Sequence, residues 1–163
     1  MLKPLFFGGG TGILVFDKGD RNLRAAIDLL TLEGRQAAMV QEYLPSIREG
    51  DKRILLLGGE PIGAVLRVPK EDDHRANLHV GGKAVRATIT PAEREIAARL
   101  KPQLLELGLH FAGIDVIGGK ITEINVTSPT GAQEIDRLDT RVGKDRISAQ
   151  VIDYVEKLHG QNA

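Results

Sequence analysis

Cysteine and tryptophan are both absent from the 163 residues, and aromatic residues make up only 4%. Without cysteine there is no disulfide framework, no thiolate metal site and no cysteine nucleophile. Net charge is lacking too, because 22 Lys plus Arg balance 22 Asp plus Glu. That balance does not suggest a broad basic surface for nucleic acid. No apolar run approaches the roughly 18 to 20 residues that cross a bilayer, and no charged-then-apolar leader opens the sequence. The expectation is a soluble cytoplasmic protein of one domain, long enough to bury a core and contacting neither nucleic acid nor membrane.

Glycine, by contrast, is plentiful, with 19 residues. The glycines gather at Gly8-Gly9-Gly10, Gly58-Gly59, Gly81-Gly82 and Gly118-Gly119, each beside an apolar run. This spacing marks tight turns and places where backbone approaches a ligand closely. The pattern between them predicts a strand over 1–7, a short β-run at 13–16, and a helix over 23–32 that starts at Asn22 and closes at Gly34. A strand over 37–43 follows, then a hairpin from 53–57 and 61–68, and a mobile loop over 69–82. Thr90-Pro91-Ala92-Glu93 is a capping box with proline at the first helical position. It opens a helix to about Leu107, with Pro102 as a kink or break. A second hairpin (111–117 and 121–126) and an amphipathic helix over 144–158 complete the chain, without internal repeat or second domain boundary.

Glu123 and Asn125 are two apart on a strand, so they share a face, and Asp115 lies across the turn. Two carboxylates and an amide oxygen make an oxygen-only ligand set suited to magnesium that bridges phosphates. A solvated sheet face with alternating charges is the rival, and these residues alone do not choose between the two. The geometry is testable. For Asp115 to oppose Glu123, the turn at Gly118-Gly119 needs an odd-numbered connection, or a bulge restoring the same parity. Ile114, Val116, Ile124 and Val126 then face the core. Lys3 ahead of Gly8-Gly9-Gly10-Thr11-Gly12 could neutralise phosphates held by backbone N–H groups. A flexible hairpin tip is the simpler reading of that loop taken alone.

Taken together and in order, these segments resemble the carboxy-terminal ATP-grasp part of bacterial glutathione synthetase. The resemblance is carried by Leu2-Lys3-Pro4-Leu5 with its glycines, Gln41-Glu42-Tyr43-Leu44-Pro45, Gly50-Asp51-Lys52-Arg53, Gly59-Glu60-Pro61 and Leu66-Arg67-Val68-Pro69. Arg75-Ala76-Asn77-Leu78 and Thr122-Glu123-Ile124-Asn125-Val126-Thr127-Ser128-Pro129-Thr130 continue it, to about residue 155. It implies an α+β, ATP-grasp-like half with a mostly antiparallel sheet and helices packed on one face. It also implies an ATP-dependent carboxylate–amine ligase that joins γ-glutamylcysteine and glycine through an acyl phosphate. ATP and magnesium, with manganese as a substitute, are the implied cofactors.

The same resemblance suggests a role for each residue. Lys3 with Gly9 and Gly10 would meet ATP phosphate, backbone at Glu42 and Leu44 would read adenine, and Asp51 would meet the ribose. Asp115, Glu123 and Asn125 would hold the metal. Arg53 and Arg67 would stabilise the phosphoryl group and the oxyanion, while Asn77, Ser128, Pro129 and Thr130 would line the peptide pocket. Each has a plainer rival. The arginines could be exposed partners of acids such as Glu60, Asp51 and Asn77 loop residues, and Ser128-Pro129 a strand stop. His74, His79, His110 and His159 lack metal spacing and read as structural or surface residues. The family's amino-terminal domain and a second phosphate-contacting lysine have no counterpart here. Residues 1–163 are therefore expected to be one ATP-grasp domain of a larger enzyme, inactive alone, completed by a homo-oligomer or by an amino-terminal part. A protein-terminus glutamate ligase and a non-catalytic nucleotide-binding or assembly module are the alternatives.

Overall fold

The computed structural model describes residues 1–6, 8–71, 75–77 and 81–161. Its centre is a five-stranded antiparallel sheet built around the most apolar run of the chain. β3 (Asp51–Leu57) carries Ile54, Leu55 and Leu56, each fully buried, so the strand is covered on both faces. β4 (Glu60–Val68) returns beside it through Gly58-Gly59, and β5 (Lys83–Arg86) pairs with β4. β6 (Phe111–Ile117) lies on the other side of β3, with β7 (Lys120–Asn125) beyond it, giving the order β5-β4-β3-β6-β7. A second, two-stranded layer pairs β1 (Leu2–Pro4) with β2 (Ala38–Val40) and packs against α1 (Leu23–Thr31).

Helices cover both faces of the main sheet, where the sequence placed them on one. On the first face, α2 (Pro91–Glu106) packs Ala97 and Leu104 onto Ile54, Leu56, Ala64, Ala112, Ile114 and Val116. On the second, α3 (Ala132–Leu138) and α4 (Ile147–Gln161) set Ile135 and Ile147 against Leu55 and Val65. The α+β, mostly antiparallel architecture is as expected, and both hairpins form. The capping box is complete, with Thr90 and Glu93 bonding each other's backbone N–H.

Several local expectations change. Residues 13–16 form no strand, only a bridge from Leu14 to Leu2. The strand expected over 37–43 shortens to β2, and Pro45–Glu49 forms a 3-10 helix after it. Asn22 does not cap α1 with its side chain, because its backbone is already helical (φ −84°, ψ −11°) where a capping residue is usually extended. The left-handed turn after α1 starts at Leu32, before Gly34, with the Thr31 hydroxyl accepting from the Gly34 N–H at 3.0 Å. Pro102 does not break α2, whose packed residues Ala97 and Leu104 lie on either side of it. Helix α4 begins three residues late, where Asp136 accepts from the Ile147 N–H at 2.8 Å. α3 and β5 were not anticipated: they are seven and four residues long, too short to show a period. Phe7, most of the charged run 71–75, His74 and His79 lie outside the described residues.

Gly113 on β6 shows how tightly the second face is built. A Cβ there would meet Pro129 Cβ at 2.8 Å and Arg53 Cδ at 3.1 Å. Gly113→Ala should therefore cost about 1 to 3 kcal/mol by overpacking. Gly8→Ala, with nothing within 4 Å, is the control and should stay within about 0.5 kcal/mol. Urea denaturation of both variants checks the difference.

Candidate active site

On β3, Asp51 and Arg53 alternate with Lys52 and share a face with Leu55. The apolar end of this face lies under α3 and α4; the charged end floors a cavity of about 610 Å³. Register does the assembly. Asp51 pairs with Arg67 of β4, Arg53 with Asp115 of β6, and Asp115 with Glu123 of β7. The Gly118-Gly119 turn has two residues, which would put Asp115 and Glu123 on opposite faces. A bulge at Thr122 restores the parity: Ile117 pairs with Lys120 and Val116 with Ile121, yet Asp115 still meets Glu123. The opposite face holds only half of its expected core. Ile114 and Val116 are buried, but Ile124 on the edge strand and Val126 just beyond it are 45% and 41% exposed, outside the buried cluster beneath α2.

Four charges, balanced in sign, are buried at the floor. Arg53 grips Asp115 with two bonds, Nε to Oδ1 and Nη2 to Oδ2 (2.9 Å), and Nη1 donates to the Thr130 carbonyl at 3.1 Å. Arg67 Nη2 lies between two carboxylates, bonding Asp51 Oδ2 and standing 2.9 Å from Asp115 Oδ2. Burial pushes Asp51 up to about 6, with the Asp115 charge adding to it and Arg67 and Arg53 opposing. Burial would raise Asp115 also, but the bond from Arg53 and the charges of Arg67 and Arg53 hold it below the ordinary carboxylate value. For Arg67, attraction to Asp115 and Asp51 outweighs desolvation and raises its pKa. The exposed-partner reading of the arginines fails, because both are buried and paired with Asp115 and Asp51, while Glu60 pairs with Lys101 at 2.6 Å.

The opposite wall comes from the small layer. Lys3 Nζ stands 3.6 Å from Glu123 Oε1, and Gln41 Nε2 donates to the Thr122 carbonyl at 3.3 Å, seating β2 beside β7. Arg75 Nη1 reaches the Gly10 carbonyl at 3.4 Å, closing one side between the glycine-rich loop and residues 75–77. Lys3, Gly9, Gly10, Glu42, Leu44, Asp51, Arg53, Arg67, Asn77, Asp115, Glu123, Asn125, Ser128 and Thr130 all line this one cavity. Pro129 does not: it is buried behind the wall, against Gly113. Gln41 and Arg75 also line it. Both stand in segments that carry the resemblance, but no role was assigned to either, since each is positioned by a contact to a distant segment.

A hard cation fits this donor set. Glu123 is half exposed to the cavity, and Asn125 uses its Nδ2 on Asp115 at 3.5 Å, leaving its amide oxygen free. Asp115 Oδ2 already meets both arginines and Asn125, but Oδ1 takes one bond and keeps a lone pair. Among the described residues no group of three His, Cys, Asp or Glu could hold a metal. The set would thus need the amide oxygen together with water or phosphate oxygens, as magnesium sites commonly do.

An antiparallel sheet bearing an arginine–carboxylate–amide row, facing a small β-layer with a lysine and a glycine-rich loop, defines an ATP-grasp domain. Two solved structures of the ATP-grasp ligase PsnB share the fold. The complex with minimal precursor, Mg and ADP has TM-score 0.57 and 17% identity, covering 94% of this chain and 45% of that one. The complex with precursor peptide PsnA2 and AMPPNP has TM-score 0.58 and 15% identity, covering 95% and 46%. Within this class the chain belongs to the prokaryotic glutathione synthetase ATP-grasp domain family, which it matches over residues 1–140. It is 55% identical to the glutathione synthetase of Thermosynechococcus vestitus over 145 residues, covering 88% of this chain and 46% of that protein. It is 50% identical to that of Gloeobacter violaceus over 162 residues, covering 99% and 50%. The chain spans about half the length of the curated relatives it matches.

The buried quartet has a signature in pH. Asp51 binds its proton more tightly folded than unfolded, so the folded state holds more protons between about pH 4 and 6. Its contribution to stability therefore falls as pH rises through that window and is constant above it. Wild type should lose stability relative to Asp51→Asn between pH 4 and 6, and the two curves should run parallel above pH 7. Urea midpoints across pH check this; parallel curves throughout would mean that Asp51 titrates normally.

Proposed function

We propose that this chain forms the nucleotide and metal side of a glutathione synthetase site, with residues 1–163 acting as one ATP-grasp unit. In this reading the γ-phosphoryl of ATP passes to the cysteinyl carboxylate of γ-glutamylcysteine, and the glycine amine then displaces phosphate from the acyl phosphate. The observation that carries it is the convergence of Lys3, the glycine-rich loop, the paired arginines and the Asp115–Glu123–Asn125 row on one cavity, in a chain of this family. A cytoplasmic setting, where ATP and these small substrates occur, belongs to the proposal. No helix among the described residues is long and apolar enough to cross a membrane.

The residues divide the work by position. Backbone N–H groups at Gly9 and Gly10 and the Lys3 ammonium meet phosphate oxygens, and backbone at Glu42 and Leu44 reads the adenine edge. Glu123, the Asn125 amide oxygen and Asp115 Oδ1 are the groups that would hold magnesium, or manganese in its place. That cation would offset charge on the bridging phosphates. Arg67 stabilises charge developing on the transferred phosphoryl group and on the oxyanion that follows. Arg53 is occupied by Asp115 and Thr130, so it keeps the metal-side carboxylate and the 128–131 segment in place. Asn77, Ser128 and Thr130 line the end suited to the peptide, with Pro129 buttressing that segment from behind.

Two measurements test the reading. Glu123→Gln should raise the magnesium concentration needed for nucleotide binding by at least about tenfold, read by titration calorimetry on the chain. Arg67→Ala should lower kcat about a hundred- to thousand-fold, far more than it raises ATP KM, whose rise of about tenfold reflects the lost contact with the third phosphoryl group. The second is assayed in a chimera where this chain replaces the matching half of the Gloeobacter violaceus relative, with folding checked by thermal denaturation. A kcat within about threefold of the parent would remove Arg67 from the reaction.

A further inference from the structure

We propose that Asp51 is a positioning residue that holds the Arg67 guanidinium toward the phosphoryl end of the cavity, rather than a contact for the nucleotide sugar. The inference rests on the nucleotide reading above and deepens it.

The backbone brings the two residues together before any side chain is considered. Gly50 has φ 121°, and a Cβ there would meet Leu66 Cδ1 at 2.6 Å and the Arg67 carbonyl oxygen at 3.2 Å. Only glycine allows the chain to turn into β3 pressed so closely on β4. Asp51 then stands in register opposite Arg67.

The two oxygens of Asp51 have separate situations. Oδ2 accepts from Arg67 Nη2, while Oδ1 is buried from water and has no hydrogen-bond partner among the described residues. Water cannot reach Oδ1, so a hydroxyl carried on a ribose ring, which needs at least as much room, would require the floor to repack. The side chain as a whole is only 12% exposed.

Arg67 needs this carboxylate, and Arg53 does not. Arg53 is fixed by two bonds to Asp115 and one to Thr130. Arg67 is tied through a single nitrogen, Nη2, set between Asp51 and Asp115, and its Nε is buried without a partner. Two acceptors on one nitrogen fix the plane of the guanidinium. With Asp51 neutralised, Asp115 alone would face two arginines, and Arg67 would be free to turn about its remaining contact. An arginine that must meet a phosphoryl group in one orientation gains most from such a clamp.

The test compares three nucleotides on the full chain, each with magnesium, in wild type and Asp51→Asn. The probes are ADP, AMPPNP and 2′,3′-dideoxy-ADP, with binding read by calorimetry. For a positioning role, AMPPNP should lose at least about tenfold more affinity than ADP, as expected for a charge-assisted contact to the third phosphoryl group. The ratio of ADP to dideoxy-ADP should stay within about twofold of wild type. The proposal is overturned if Asp51→Asn erases the preference for ADP over dideoxy-ADP while AMPPNP and ADP weaken equally. A chain that binds none of the three counts against the proposed function itself, and the clamp is then read by stability alone. Thermal denaturation of Asp51→Asn, Arg67→Gln and the double variant forms the cycle. The double variant should lose less than the sum of the single losses, whereas additive losses would show no clamp.

Discussion

Burying charge is the constraint around which the rest of this structure is arranged. Arg53, Arg67, Asp51 and Asp115 lie on three adjacent strands, almost wholly out of water, in a set whose charges cancel. Such a set survives burial only when every member is paired, since an unmatched buried ion costs several kcal/mol. Pairing across strands requires one register, so the quartet and the sheet specify each other. A slip of one residue along β3 would send Asp51 and Arg53 to the α2 face, among Leu56 and Ile114, and leave Arg67 of β4 without its partner.

This constraint also divides the second sheet face. Its apolar half, Leu55 and Val65, is sealed by Ile135 and Ile147 from α3 and α4. Its charged half is left open as the cavity floor, and the small β1–β2 layer stands across from it. Among the described residues, Lys3 near Glu123, Gln41 on the Thr122 carbonyl and Lys120 near Glu42 are polar contacts between this layer and β7. The bulge at Thr122 matters for both jobs. It returns Glu123 and Asn125 to the cavity side and offers the carbonyl that Gln41 binds. On the far side, Ile121 and Ile124 of this edge strand and Val126 just beyond it remain exposed.

The two arginines illustrate how identical side chains on adjacent strands acquire different tasks. Arg53 has most of its donors consumed by Asp115 and Thr130, which makes it a brace between the sheet and the segment at 128–131. Arg67 is held through one nitrogen and keeps donor capacity facing the cavity. Spacing along the chain treats them alike. Only the count of bonds each one makes separates the brace from the group able to meet a substrate.

Local chemistry made some elements legible in advance. The Thr90-Pro91-Ala92-Glu93 cap needs only neighbouring residues, and it forms as written. Both hairpins follow from apolar runs meeting at paired glycines, and the period of two put Glu123 and Asn125 on one face. The order of motifs pointed to the family that the match over residues 1–140 shows. Other features had no local cause. α3 and β5 are too short for a period and exist because a buried face and a strand edge were available to them. The failure of Pro102 to break α2 and the loss of a strand at 13–16 likewise depend on what lies alongside. The ionic floor was least visible of all. Its members are separated by up to 64 residues, and their protonation, pairing and burial arise only when β4, β3 and β6 come into register. Sequence determines which groups are present and which face of a strand they take. Whether a carboxylate holds a metal, an arginine or a sugar depends on distances between strands, and those exist only in the folded chain.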